Sequence, residues 1–131
     1  MKPKQVHAPP PVDDVHLARE TLTMATLEAA RLLQISQTEL AAVLGLSPAS
    51  ISRLASGRLL LDPQSKPWQL AALFVRLFRS LDSLTGGNDE LSRQWLRSPN
   101  HALRAIPLDL LPDIQGFVRV VEYLDASRAV V

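Results

Sequence analysis

Residues Ser36–Gly57 read SQTELAAVLGLSPASISRLASG, and their spacing decides the fold. Small and apolar residues at fixed offsets describe two short helices that cross closely through a tight turn. Gln37 opens the first helix. Ala41 sits where the helices touch, so its side chain must be small. Gly45 marks the turn, where the backbone needs a positive φ. Ser47 caps the second helix and Pro48 fits its first turn. Ile51 and Leu54 form the inner face, and Leu40, Val43 and Leu44 complete the packing.

This arrangement is a helix-turn-helix, and it resembles the Xre or phage-repressor class of such proteins. The resemblance implies that the second helix enters the major groove of DNA. Ser47, Ala49, Ser50, Ser52 and Arg53 lie on or beside its outward start. Arg53 is the best base reader, since a guanidinium pairs bidentately with guanine. Ala49 suits a thymine methyl, and the serines suit bases or phosphates. Gln37, Thr38 and Arg58 are phosphate candidates. Pro48 stands where many relatives carry a polar base reader, so one copy reads little sequence. A homodimer on palindromic operator DNA is the expectation.

Composition qualifies that reading. The 131 residues hold 14 Lys+Arg against 13 Asp+Glu, a net charge of +1, so the chain as a whole has no pull on nucleic acid. Any grip on DNA must be local. Hydrophobic residues make up 47% of the chain, enough for a buried core. The absence of cysteine excludes disulfides and thiolate metal sites and fits a cytoplasmic location. No apolar run approaches a membrane span, and MKPKQVHAPPPVDD has no apolar centre of the kind a signal peptide needs. His7, His16 and His101 are scattered without metal-ligand spacing, and Gly86-Gly87 ends a helix rather than cradling phosphate. Asp109 and Asp113 are separated by proline and have no evident partner base. No catalytic site, metal or cofactor is expected.

The rest of the chain reads as all-α. Residues 1–12, rich in proline and carrying Lys2 and Lys4, read as a flexible arm. Asp13 or Asp14 suits the cap of a first helix, with a break expected near Thr21–Thr23. Pro63 and Pro67 section a connector that tucks Leu59, Leu60 and Leu61 against a core. A helix over about Trp68–Leu84 carries an apolar stripe, Phe74 and Phe78 included, wide enough to suggest a dimer face. Asn88 or Asp89 suits the cap of a short helix to Leu96. A last helix from Asp113 to about Ala126 places Ile114, Phe117, Val118, Val121 and Leu124 towards the core. The expected units are an N-terminal helix-turn-helix domain over 13–66 and a small helical domain over 67–131.

The second domain carries its own pattern. Trp95-Leu96 precedes Pro99-Asn100, then Ile106-Pro107-Leu108-Asp109-Leu110-Leu111, Gly116 and Tyr123-Leu124. Read from the residues alone, the apolar members are core and Asn100 serves a turn. The run nevertheless resembles the toxin-binding domain of the Xre/MbcA/ParS antitoxins, with Ala105 where relatives often have glycine. The order of the two domains also matches. The resemblance implies an antitoxin that neutralises a toxin encoded beside it and represses their shared operon. The implied partner is a RES-domain toxin that consumes NAD; a second branch pairs with an ADP-ribosylating toxin. A stand-alone transcription regulator is the alternative, but the second half offers few buried polar groups for a ligand pocket. For toxin binding, Val120, Tyr123 and Ser127 are placed on the outward face of the last helix, flanked by Arg119 and Arg128. The tail SRAVV is expected to enter the toxin's active-site cleft.

Overall fold

The computed structural model describes residues 11–129, with the side chains of 14–128. Residues 1–10, including Lys2 and Lys4, and the terminal valines lie outside them, as does the Asp13 side chain. Among the described residues there are seven helices and no strand: α1 (Pro11–Leu32), α2 (Gln37–Leu44), α3 (Pro48–Ala55), α4 (Lys66–Leu84), α5 (Asp89–Arg97), α6 (Pro107–Leu110) and α7 (Ile114–Ala129). The all-α expectation holds.

Helix α1 starts at Pro11, ahead of both aspartates offered as its cap, and it is continuous where a break was expected. Its buried threonines are the reason. The Thr26 hydroxyl donates to the Leu22 carbonyl at 2.7 Å, and Thr23 Oγ1 accepts from the Leu61 amide at 3.2 Å. With both hydroxyls satisfied, a β-branched polar residue costs the helix little. The Thr23 bond also seats the connector, and Arg19 donates to the carbonyls of Leu61 at 2.7 Å and Leu60 at 3.1 Å. Leu61 is buried there, as its sequence position suggests.

Helix α4 lies at the centre and touches α1, α2, α5 and α7. Ser65 caps it, and Pro67 falls within its first turn, where a missing amide costs nothing. The helix therefore begins two residues before the expected Trp68. Its apolar stripe does not face a second copy. Phe74, Leu77 and Leu81 are fully buried and Phe78 is half-buried against the chain's own core. Four neighbours explain the width of the stripe, so Phe74, Leu77 and Leu81 are core and not the dimer contact that the stripe suggested.

Around α4 the later elements are fixed by caps and one glycine. Asn88 accepts from the Leu91 amide at 3.0 Å and starts α5. Asn100 shapes the next loop, its side chain accepting from the Leu103 amide at 2.9 Å while its backbone bridges Ala105. The positive φ of this loop falls on Arg104, at 58°, so Ala105 needs no left-handed backbone. Asp113 accepts from the Gly116 amide at 3.0 Å at the start of α7. A Cβ at Gly116 would meet the Leu110 carbonyl oxygen at 2.5 Å, so α6 crosses α7 closely at that residue.

Alanine at Gly116 should therefore destabilise. Better helix propensity returns about 1 kcal/mol, less than the strain of pushing α6 away, and the net loss should be about 1–2 kcal/mol. Urea unfolding of Gly116→Ala against the parent measures it; an unchanged midpoint would contradict the close crossing.

Candidate functional site

The helix-turn-helix forms as its residues require. Ser36 and Glu39 close a reciprocal cap on α2, with Glu39 N to Ser36 Oγ at 3.0 Å and Ser36 N to Glu39 Oε1 at 2.8 Å. Gly45 takes φ 70° at the turn, and the Leu46 amide closes onto the Ala41 carbonyl at 2.9 Å. Ile51, Leu54, Leu40, Ala41, Val43 and Leu44 are all buried. The opposite side of α3 is open: Ala49, Ser52 and Arg53 are exposed, Ser50 is half-buried, and Arg58 is exposed just beyond.

A polar chain runs along that open side. Ser47 Oγ accepts from the Ser50 amide and meets the Ser50 hydroxyl, both at 3.1 Å, and Arg53 Nη2 reaches Ser50 Oγ at 3.1 Å. Arg58 Nε donates to Ser56 Oγ at 3.1 Å. Three of the candidate residues are thus joined, and the guanidinium of Arg53 is aimed along the helix. Gln37 and Thr38 are exposed at the start of α2. Thr38, however, lines a groove with Glu39 and Asp109, between α2 and α6. Two carboxylates make poor company for a phosphate. Glu39 went unnoticed in the sequence reading; the S-x-x-E spacing after Ser36 was the signal that could have found it.

The second candidate surface is α7. Its inner face is Phe117, Val120, Val121 and Leu124, all buried, together with Gly116. Val120 is therefore corrected from outward patch to core. Ile114 and Val118, expected in the core, are exposed instead, at 53% and 36%. The helix is rotated from the expected orientation because Gly116 must face α6. Tyr123 is half-buried and stacks on Trp95 with ring centroids 6.1 Å apart. Arg119 is exposed yet donates to the Leu103 carbonyl at 3.1 Å, and the half-buried Ser127 donates to the Tyr123 carbonyl at 2.9 Å. Arg128 reaches Ser80 Oγ on α4 at 3.2 Å. Helix α7 runs on through Ala129, so Ser127 and Arg128 form its last turn and not a loose tail.

Sequence models of two families match the chain. An antitoxin Xre-like helix-turn-helix domain covers residues 16–76, and the antitoxin Xre/MbcA/ParS C-terminal toxin-binding domain covers residues 80–129. The chain belongs to the Xre/MbcA/ParS antitoxins. It is an antitoxin with a helix-turn-helix domain followed by a toxin-binding domain. None of the curated proteins compared with it matches. Among the described residues no cluster of three His, Cys, Asp or Glu side chains suits a metal, and no helix is long and apolar enough to cross a membrane. His101 is exposed on the Asn100 loop, and His16 lies 3.7 Å from Glu20 on the surface of α1.

In this antitoxin one carboxylate on α7 joins that helix to two residues of α4. Asp125 accepts from the fully buried Ser80 hydroxyl at 2.8 Å and from Arg76. Burial alone would raise the Asp125 carboxyl, but the hydrogen bonds from Ser80 and Arg76, with the nearby charges of Arg76 and Arg128, outweigh it and hold the group below its ordinary value. A folded value below the unfolded one means that the stabilisation is complete above about pH 4 and drains away as pH falls through the folded value. Asp125→Asn should cost about 1 kcal/mol at neutral pH, a figure discounted for partial exposure. Chemical unfolding at pH 7 and at about pH 3 should show the gap between variant and parent narrowing on acidification. A gap of constant size would place the effect elsewhere.

Proposed function

We propose that this antitoxin binds and neutralises a RES-type, NAD-consuming toxin by covering its active site, and that it represses its own operon as a homodimer bound to a palindromic operator. The observation that carries the reading is the division of its surface. An open α3 and an open arc of α7 project from a single core built on α4, which contacts both α2 and α7. Neither face is needed to complete the core, so each is available to a partner.

On the DNA side, the reading rests on α3 and the residue just past it. Arg53 approaches base edges, with Ala49, Ser50 and Ser52 beside it, and Arg58 meets a phosphate. Ser47 and Ser50 hold Arg53 in one orientation, which lowers the entropy lost on pairing with guanine. The α2 end, with Glu39 and Asp109 near Thr38, contributes little phosphate attraction; Gln37 is the contact there.

On the toxin side, the pairing with a RES-type partner is supported by the resemblance of the run from Trp95 to Leu124. The docking surface is the outward arc of α7. Exposed Ile114 and Val118 supply the apolar part, Tyr123 an aromatic edge, and Arg119, Ser127 and Arg128 a polar rim, the usual make-up of an interface hot spot. Seated over a cleft that binds NAD, this arc excludes the substrate by covering its entrance.

Two measurements check the two faces separately. Arg53→Ala should weaken specific operator binding by about 1–3 kcal/mol, whereas Arg58→Ala should weaken all sequences alike and flatten the salt dependence. Unchanged operator affinity for Arg53→Ala would remove its assignment as base reader. For the toxin, Val118→Asp should abolish co-purification with a co-expressed RES-type toxin and loss of growth should follow, while operator binding stays as in the parent. Cells that survive toxin expression equally well with the variant would move neutralisation to another surface.

A further inference from the structure

The two most exposed large apolar side chains of the described residues are Leu17 and Met24, at 62% and 68%, both on α1. Seven residues apart, with Thr21 between them, they share one stripe of the helix. Beside the stripe lies a groove of about 520 Å³ between α1 and α4, floored by Ala18, Ala25, Ala72 and Val75. Its charged members are one acid, Asp14, and one base, Arg79. Among the described residues neither forms an ion pair.

We propose that this α1–α4 face is where a second copy of the chain docks, two-fold related, with Leu17 and Met24 of each copy entering the groove of the other. Charge is what selects the occupant. A groove with one unpaired acid and one unpaired base is complementary to itself: under a two-fold axis, Asp14 of each copy meets Arg79 of the other, and both charges are cancelled without a foreign partner. Alanines on the floor admit a second helix at short distance, and Leu17 and Met24 are the apolar anchors that would fill it. The face is separate from α3 and from the outward arc of α7, so assembly leaves both free. This deepens the homodimer reading by naming its surface. It also completes the DNA site, because α3 presents a single cation and a second copy doubles the reading heads.

The test uses the full chain in dilute solution without DNA, so that a failure of the dimer and a failure of DNA binding are told apart. Sedimentation and light scattering should show a dimer at micromolar concentration. Leu17→Lys with Met24→Lys should weaken self-association at least tenfold while the helical circular dichroism is unchanged, since both side chains are already exposed. Asp14→Arg and Arg79→Asp should each weaken it, and the two combined in one chain should restore it. A parent chain that stays monomeric, a lysine variant that stays dimeric, or a charge-swapped double variant that fails to recover would each overturn the proposal. So would a lysine variant that keeps its dimer but no longer captures toxin, because the face would then belong to the toxin.

Discussion

Burial of Phe74, Leu77 and Leu81 on α4 is the constraint that the rest of the molecule satisfies. A helix with apolar residues around more than half its circumference cannot lie on a surface. It must be surrounded, and in a chain of this size that requires contributions from both ends. Helices α1 and α2 cover one part of it and α5 and α7 another. The two matched domains meet along α4, the first ending within it at residue 76 and the second starting at residue 80. Position of the helix-turn-helix relative to the toxin-binding domain is thereby set by packing, with no linker between them.

The polar bonds follow the same geometry. Ser80 is fully buried on α4 and its hydroxyl serves Asp125 on α7, while Arg128 returns to it from the last turn. Ser92 is likewise buried and meets Thr85 Oγ1 at 2.8 Å across the corner between α4 and α5. Side-chain hydroxyls used in this way fix the angle at which helices meet. An apolar contact of equal area tolerates sliding that a hydrogen bond does not.

Much of this was legible in the residues. The turn at Gly45, the caps at Ser47 and Asn88 and the buried faces of α2 and α3 follow from local rules, because short-range chemistry decides them. What was missed depends on distant partners. Phe117, Val118, Val121 and Leu124 fit one helical face, and so do Phe117, Val120, Val121 and Leu124. Periodicity cannot choose between two stripes offset by a few tens of degrees. The choice is made by Gly116, whose missing side chain admits the Leu110 carbonyl and so turns Val120 inward and Val118 out. The continuous α1 was hidden for a similar reason: the group that satisfies Thr23 is the amide of Leu61, thirty-eight residues later. The wide stripe of α4 was visible but its cause was not, since sequence shows how much apolar surface exists and not which neighbours cover it.

Two arginines of α5 have a further effect. Arg93 donates to the Leu32 carbonyl at 3.0 Å and Arg97 to the Gln34 carbonyl at 2.8 Å, so donors from the second half cap the carbonyl end of α1. A helix end without such donors must rely on water and frays. The corner they hold, with Gln34 at a positive φ of 55°, leads directly into α2. These bonds between residues some sixty positions apart couple the two halves and favour one cooperative melting transition for the whole chain. During synthesis these two bonds can form only after α5 has emerged, so a chain interrupted before that point carries the helix-turn-helix without them at its entry corner.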